Sequence, residues 1–389
     1  MPSSASGGLA ARLAIIAMAL VFGLTYSLSA TLIALDLAAR QVSESVIGAN
    51  AAMHAVGVLA MAFLLPRMTA ALGIRASVIG ALVVAAAVLC LFPALPFIGL
   101  WFALRVVLGA ASETLFVLSE TWLNALSSDA TRARTMAAYT ASLSIGFALG
   151  PLILSFAGSE GFLPYGIGAG LALLAVLFIA APGIRTPLFE RPAHTNPLRY
   201  MGLAPVAMAA TALNAAVETA GLTFLGLYAI SLGWAEAEAT QLITWMMIGA
   251  VLLQLPIGWL GDKMNRITLI AILAGLSGLG ALVWPWALQM PLLSGVLLFI
   301  WGGLFVGIYT MMLAIVGSRF SGSDIVGIYA GMGLVWGAGA LLGPLLAGGA
   351  MQATAHGLVY FIALACFLFM AAVIAARSRQ RRATDGPTG

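Results

Sequence analysis

Three ionisable residues stand in stretches that otherwise hold almost only apolar and small side chains: Arg105 and Glu113 in "FALRVVLGAASETLFVLSE", and Glu218 in "TALNAAVETAGLTF". If these stretches cross a bilayer, a charge at the centre costs at least about 2.5 to 3.5 kcal/mol, so each calls for a role or a partner. For the glutamates the chemistry on offer is proton carriage. A carboxyl that alternates between desolvated and wetted settings can take a proton on one side and release it on the other. The plainer reading keeps them as permanently protonated or ion-paired groups in a helix-packing core. Arg105 divides in the same way between a counter-ion and an anion-binding role.

Spacing relates these residues to one another. Positions 105, 109, 112, 116 and 119 follow one helix face, which makes Arg105, Gly109 and Ser112 neighbours. Glu113 lies beside that stripe, about 12 Å from Arg105 along the axis at about 1.5 Å per residue, too far for direct pairing. Thr211, Asn214 and Glu218 fall at i, i+3 and i+7, and Thr25, Ser29 and Asp36 at i, i+4 and i+11. Polar stripes on apolar helices are expected to face a water-filled cavity, since lipid offers their groups no hydrogen bonds. Trp301, Phe305 and Tyr309, and then Tyr329, Met332 and Trp336, form aromatic and methionine rows at helical spacing. Such rows are more often interhelical packing than ligand contacts. Tyr309 and Trp336 are the better cavity candidates, because a buried phenol or indole needs a polar partner. His54 reads by default as a satisfied helix-contact residue, with proton relay as the minor alternative.

The elements that must position these groups follow from composition. Of 389 residues, 62% are apolar and 8% charged, and the mean hydropathy is +1.08; a soluble domain carries about a quarter charged residues. Twelve apolar runs are each long enough to span a hydrocarbon core as a helix: 10–35, 46–66, 76–95, 98–121, 135–157, 163–182, 201–231, 239–260, 267–288, 291–316, 326–350 and 357–376. The first run is kept as a mature helix, because it is longer than a signal sequence and follows the neutral "MPSSASGG". Of the seventeen Lys and Arg, all but two fall on the even-numbered connections and the termini. Arg40 alone lies on an odd-numbered connection and Arg105 alone inside a helix. Short cytoplasmic loops collect basic residues, so both termini are expected in the cytoplasm. The net charge of +4 is this topology signal and carries no implication of nucleic-acid binding. Cys90 and Cys366 lie in apolar runs as small core residues.

The chain repeats itself. "GFALGPLIL" begins at Gly146 and "GALLGPLLAGG" at Gly339. The same 193-residue offset carries Gly109 to Gly302, Gly146 to Gly339, Gly150 to Gly343 and Pro151 to Pro344. In each copy two glycines at i and i+4 permit close helix contact, and the proline removes a backbone donor and kinks the helix. Residues 183–200, "GIRTPLFERPAHTNPLRY", interrupt the apolar pattern as a cytoplasmic linker. The expected architecture is therefore an all-α membrane protein with twelve transmembrane helices in two pseudo-symmetric six-helix bundles. Residues 1–182 form the first bundle, and residues 201–389 form the second together with a short basic tail.

These residues resemble the major facilitator superfamily over nearly the whole chain. "GFALGPLIL" resembles its antiporter motif; the closing glycine pair is absent there and present in the second copy as Gly348 and Gly349. "RVVLGAA" resembles its motif of an arginine and a glycine before small residues, and "GWLGDKMNR", Gly258 to Arg266, its cytoplasmic loop signature. The equivalent first-half loop, "PRMTAALGIR", has no acid. "RVVLGAASETLFVLSETWLN" with "TRARTMAAY" and "LQLPIGWLGDK" resembles the bacterial YcaD-like branch. The resemblance implies a cavity lined by helices one, four, seven and ten. It also implies a charge network of Asp262, Lys263 and Arg266 that holds one half against the other. Glu120, near Arg132 and Arg134 at a helix end, looks like half of a matching latch, with ordinary surface pairing as the plainer alternative.

No zinc spacing, nucleotide-binding glycine loop or nucleophile–base pair occurs in the sequence, so neither an enzyme nor an ATP motor is expected, and no metal or cofactor. The expected function is secondary active transport by alternating access, with a small-molecule substrate, protons and the lipid bilayer as partners. The protein is expected as a monomer in the bacterial inner membrane. Proton-coupled antiport that exports an amphipathic or weakly cationic solute is the first reading. Proton-coupled import of a small nutrient, aromatic or otherwise, is the second, and a non-transporting scaffold of the same fold is the alternative from another class.

Overall fold

The computed structural model describes residues 4–127, 129–181, 184, 202–320 and 322–384, with 4–10, 129–133, 322–326, 330 and 379–384 described by backbone alone. All but one residue of the 183–200 linker, and the side chain of Arg132, lie outside the described residues. Among the described residues, twelve helices are long and apolar enough to cross a membrane. They are α1 (Ser4–Ala39), α2 (Glu44–Leu72), α3 (Ile74–Ala94), α4 (Ile98–Ala125), α5 (Asp129–Ala157) and α6 (Leu163–Ala180). There follow α7 (Pro205–Ser231), α8 (Glu236–Lys263), α9 (Arg266–Ala287), α10 (Pro291–Arg319), α11 (Gly322–Ala353) and α12 (Gly357–Thr384). Helices are the form such segments take because all their backbone bonds close internally, and among the described residues there is no strand. Gly73, at φ 80°, makes the turn from α2 to α3, a conformation closed to most other residues. Helix α8 is two segments, Glu236–Leu252 and Gln254–Lys263, interrupted at Leu253. Pro256 explains the break, since its ring crowds the carbonyl of Leu252 and it has no N–H to give.

The described chain divides into two compact units, Met1–His194 with Leu222–Thr244, and Thr195–Gly221 with Trp245–Gly389. In the first, α1 packs most closely on α5, α2 on α4, and α3 on α6 and α4. Two cross-links tie the Leu222–Thr244 segment into this unit: Thr31 Oγ1 donates to the Leu222 carbonyl at 2.9 Å, and Thr244 Oγ1 to that of Ala148 at 3.3 Å. In the second unit α9 packs on α12 and α10, and α11 on α12.

Glycines build the same contacts in both units. A side chain at Gly57 would run into the Val106 carbonyl and one at Gly109 into that of His54, joining α2 to α4. Gly249 and Gly302 meet the carbonyls of Phe299 and Met246 in the same way, joining α8 to α10. On α8 the offset is one residue shorter, which hides the Gly57–Gly249 match from an ungapped comparison. Gly146 and Gly150 press on the backbone of α1 at Leu20 and Leu28, and Gly339 and Gly343 on that of α7 at Ala212 and Ala216. Both α5 and α11 stay helical through Pro151 and Pro344. Arg75 of α3 caps α6, its Nη2 donating to the carbonyl of Ala180 at 2.6 Å. The equivalent residue, Thr268 of α9, instead receives Arg377 of α12 at 2.7 Å. The same helix pair is thus fastened in each unit with the arginine on opposite partners. Cys366 is buried and Cys90 half-buried.

Candidate functional site

The first unit carries a polar core on α1, α2 and α4. Arg105 is 3% exposed, His54 6% and Asn50 1%. Among the described residues, the Nε and Nη1 of Arg105, both ring nitrogens of His54 and both amide atoms of Asn50 have no hydrogen-bond partner. This corrects the expectation that His54 is satisfied. Gly109 brings α4 so close to α2 that Arg105 and His54 come within electrostatic reach, and Tyr26 and Tyr165 lie within reach of Arg105 too. Tyr26 meets the His54 ring edge-on at 5.0 Å between centroids. Asn50 and His54 stand one turn apart, a polar pair that was legible in the sequence once His54 was not read alone.

Asp36 belongs to a second cluster. It pairs with Arg40 at 2.8 Å and accepts the Tyr165 hydroxyl at 2.9 Å. Arg40 also stands 4.8 Å from the ring centre of Trp101. The stripe expected on α1 therefore breaks up. Asp36 turns to α6, while the hydroxyls of Thr25 and Ser29 bond back to the Val21 and Tyr26 carbonyls of their own helix at 2.8 and 3.0 Å. Ser112 is buried. Glu113 is half-buried on α4 and, among the described residues, has neither an ion pair nor a hydrogen bond.

In the second unit, Glu218 of α7 accepts the Asn214 amide at 3.0 Å and has no cation partner among the described residues. The repeat offset places it opposite Thr25 in register, so the acid is particular to this half. Trp301 and Phe305 of α10 are packing residues. They are buried and stack at 5.1 Å, and Trp301 Nε1 donates to the Ser277 carbonyl at 2.8 Å. Tyr309 and Trp336 are half-buried.

At the α8–α9 connection Asp262 pairs with Arg266 at 3.3 Å, and Arg266 also donates to the Ala314 carbonyl of α10 at 3.1 Å. Lys263 sits 3.8 Å over the Trp259 ring. Gly258 lies in the same short helical segment as Asp262 and Lys263. Glu120 has no ion pair among the described residues. Sequence reasoning missed Gln254, which bridges the break in α8: its amide donates to the Ala250 carbonyl at 2.6 Å, and it accepts from Thr310 of α10 at 2.5 Å. A glutamine two residues before a helix-interrupting proline was the available signal.

Among the described residues, twelve membrane-length helices with repeated glycine contacts, and a buried Arg105 whose Nε and Nη1 have no partner, describe a multi-pass membrane protein. The chain belongs to the Major Facilitator Superfamily, matching it over residues 14–207 and 207–389. It is 28% identical over 276 residues to the uncharacterized MFS-type transporter YfkF of Bacillus subtilis (strain 168), covering 68% of this chain and 69% of that one. It is 24% identical over 274 residues to the MFS-type transporter YcaD of Escherichia coli O6:K15:H31 (strain 536 / UPEC), covering 69% and 70%. The crystal structure of the nucleoside transporter NupG superposes with a TM-score of 0.77 at 15% identity, covering 94% of this chain and 98% of that one. The YcaD-like resemblance and the twelve-helix fold both hold.

Proposed function

We propose that this transporter works by alternating access and couples the export of an amphipathic or weakly cationic organic solute to proton entry. The observation that carries this reading is the pair Glu113 and Glu218, carboxyls on membrane helices with no cation partner among the described residues. A scaffold gains nothing from such groups, whereas a proton carrier requires them. Residues 1–182 and 201–389 act as the moving halves, with the 183–200 linker and both termini on the cytoplasmic side. Arg105 supplies the fixed positive charge, and Thr25, Ser29, Ser112, Asn214, Tyr309 and Trp336 contribute to the solute cavity. The glycine–proline segments at Gly146, Gly150 and Pro151 and at Gly339, Gly343 and Pro344 let α5 and α11 flex. Gly258, Asp262, Lys263, Arg266 and Glu120 serve the gate. One proton crossing about 100 mV supplies roughly 2.3 kcal/mol, enough to tilt a balanced pair of states more than tenfold.

The test is proteoliposomes loaded with a pH dye and challenged with a panel of organic cations and nucleosides. One member should drive proton movement. Glu113→Gln or Glu218→Gln should abolish that coupling at least tenfold while solute counterflow persists. Proton movement untouched by both substitutions would overturn the reading. Import is the second reading, suggested by the fold shared with a nucleoside transporter. It predicts accumulation under the opposite pH gradient.

A further inference from the structure

Close packing of α1 on α5 has a consequence beyond stability. Gly23 meets the backbone at Leu143 and Phe147, and Gly146 that at Leu20 and Leu24, so the rings flanking these glycines are drawn into one cluster. Tyr26 lies 5.4 Å from Phe147 and 6.1 Å from Phe22, and Phe22 lies 5.9 Å from Phe116 of α4.

Phe22 and Tyr26 are core side chains, 7% and 9% exposed, and three observations set the open end of the cluster at Phe116 apart from ordinary packing. First, Phe116 is 37% exposed, yet it lies more than about 120° round the helix from the exposed stripe of Leu100, Ala103, Val107, Thr121 and Ala125. Its open edge does not face the way the lipid-facing stripe does. Second, the second unit repeats the glycine scaffold but not the rings. The same offset puts Ala215, Thr219 and Ala340 where Phe22, Tyr26 and Phe147 stand, and only Phe116 has an aromatic counterpart, Tyr309. These helices therefore pack without the rings. Third, Glu113 is one turn from Phe116 on the same side of α4 and has no cation partner among the described residues.

We infer that Phe22, Tyr26, Phe116 and Phe147, with Glu113 beside them, form a subsite in the first unit for a lipophilic organic cation. Ring faces attract a positive charge most strongly where water is thin, and one carboxylate neutralises it there. Arg105 stands about 16 Å along the axis from Phe116, far enough not to cancel the attraction and placed to repel a cation from going deeper. The inference rests on the transport reading above and names the solute's class.

The full chain in nanodiscs, titrated with radiolabelled tetraphenylphosphonium and corrected with empty discs, tests it. Tetraphenylborate, of similar size and opposite charge, is the control. Saturable binding of the phosphonium and none of the borate is expected. Phe116→Ala and Glu113→Gln should each weaken phosphonium binding about tenfold, and Phe116→Tyr should hold it within about threefold. Absence of saturable phosphonium binding, equal binding of both ions, or binding indifferent to Phe116→Ala overturns the subsite. The proteoliposome proton assay is scored separately. If coupling there still depends on Glu113 and Glu218 while the phosphonium fails to bind, the subsite falls and the transport reading stands.

Discussion

Gly109 of α4 lies against the backbone of His54 on α2 so closely that an added Cβ would overlap the His54 carbonyl oxygen. The obstacle is backbone rather than a side chain that could swing aside, so the helices themselves would have to part. Gly109→Leu, and Gly302→Leu in the second unit, should each cost more than about 3 kcal/mol and remove most of the monodisperse protein in detergent. Gly170→Ala is the control, because a Cβ added there would meet no atom of another helix within 4 Å. It should leave the apparent melting temperature unchanged or slightly raised.

The helices, their number and the repeat were legible in the sequence, because apolar runs of membrane length and in-register glycines are properties of the chain alone. Partners were not. Asp36 read as part of a stripe with Thr25 and Ser29, but its partner Tyr165 is 129 residues away, and no helical periodicity points to it. The stripe rule also assumes that hydroxyls reach outward, whereas Thr25 and Ser29 bond to their own helix. The break in α8 was written in Pro256, but overall hydrophobicity masked it. The aromatic row on α10 was legible as packing, and Trp301 packs. The ring cluster on α1, α4 and α5 was not legible, since its members come from three helices.

His54 has two buried ring nitrogens without partners among the described residues, and each such group costs about 1 to 3 kcal/mol. Replacing the imidazole with a ring of similar shape should recover part of that cost while keeping the edge contact with Tyr26. His54→Phe is expected to raise the apparent melting temperature by a few degrees and to lower solute-driven proton movement. A gain in stability with loss of transport is what a polar group retained for function predicts. A fall in melting temperature with transport unchanged would overturn the functional role given to the imidazole.

Trp301 and Tyr309 should separate cleanly. Trp301→Phe removes the bond to the Ser277 carbonyl, an oxygen inside α9 that keeps its intrahelical role, so stability should drop by about 0.5 to 1.5 kcal/mol. Transport per mole of folded protein should stay within about twofold. Tyr309→Ala should do the reverse, with little loss of folded protein and a raised half-saturating solute concentration.

Gln254 and Thr310 couple the broken helix to α10. The Gln254 amide replaces a backbone donor at the Ala250 carbonyl, and its oxygen takes the Thr310 hydroxyl. Either group removed alone strands the other's polar atom in a half-buried setting, so the two losses should not add. In a double-mutant cycle of Gln254→Leu and Thr310→Val, each single variant should lower the apparent melting temperature. The double variant should lose less than the sum, with a coupling energy of about 0.5 to 3 kcal/mol. Gln254 sits about two turns before Asp262 and Thr310 within α10, so the bond between them fixes where the gate segment points. Both single variants should therefore also slow transport, and by similar factors, because each frees the same joint. Strictly additive stabilities would show that the two side chains do not act on each other.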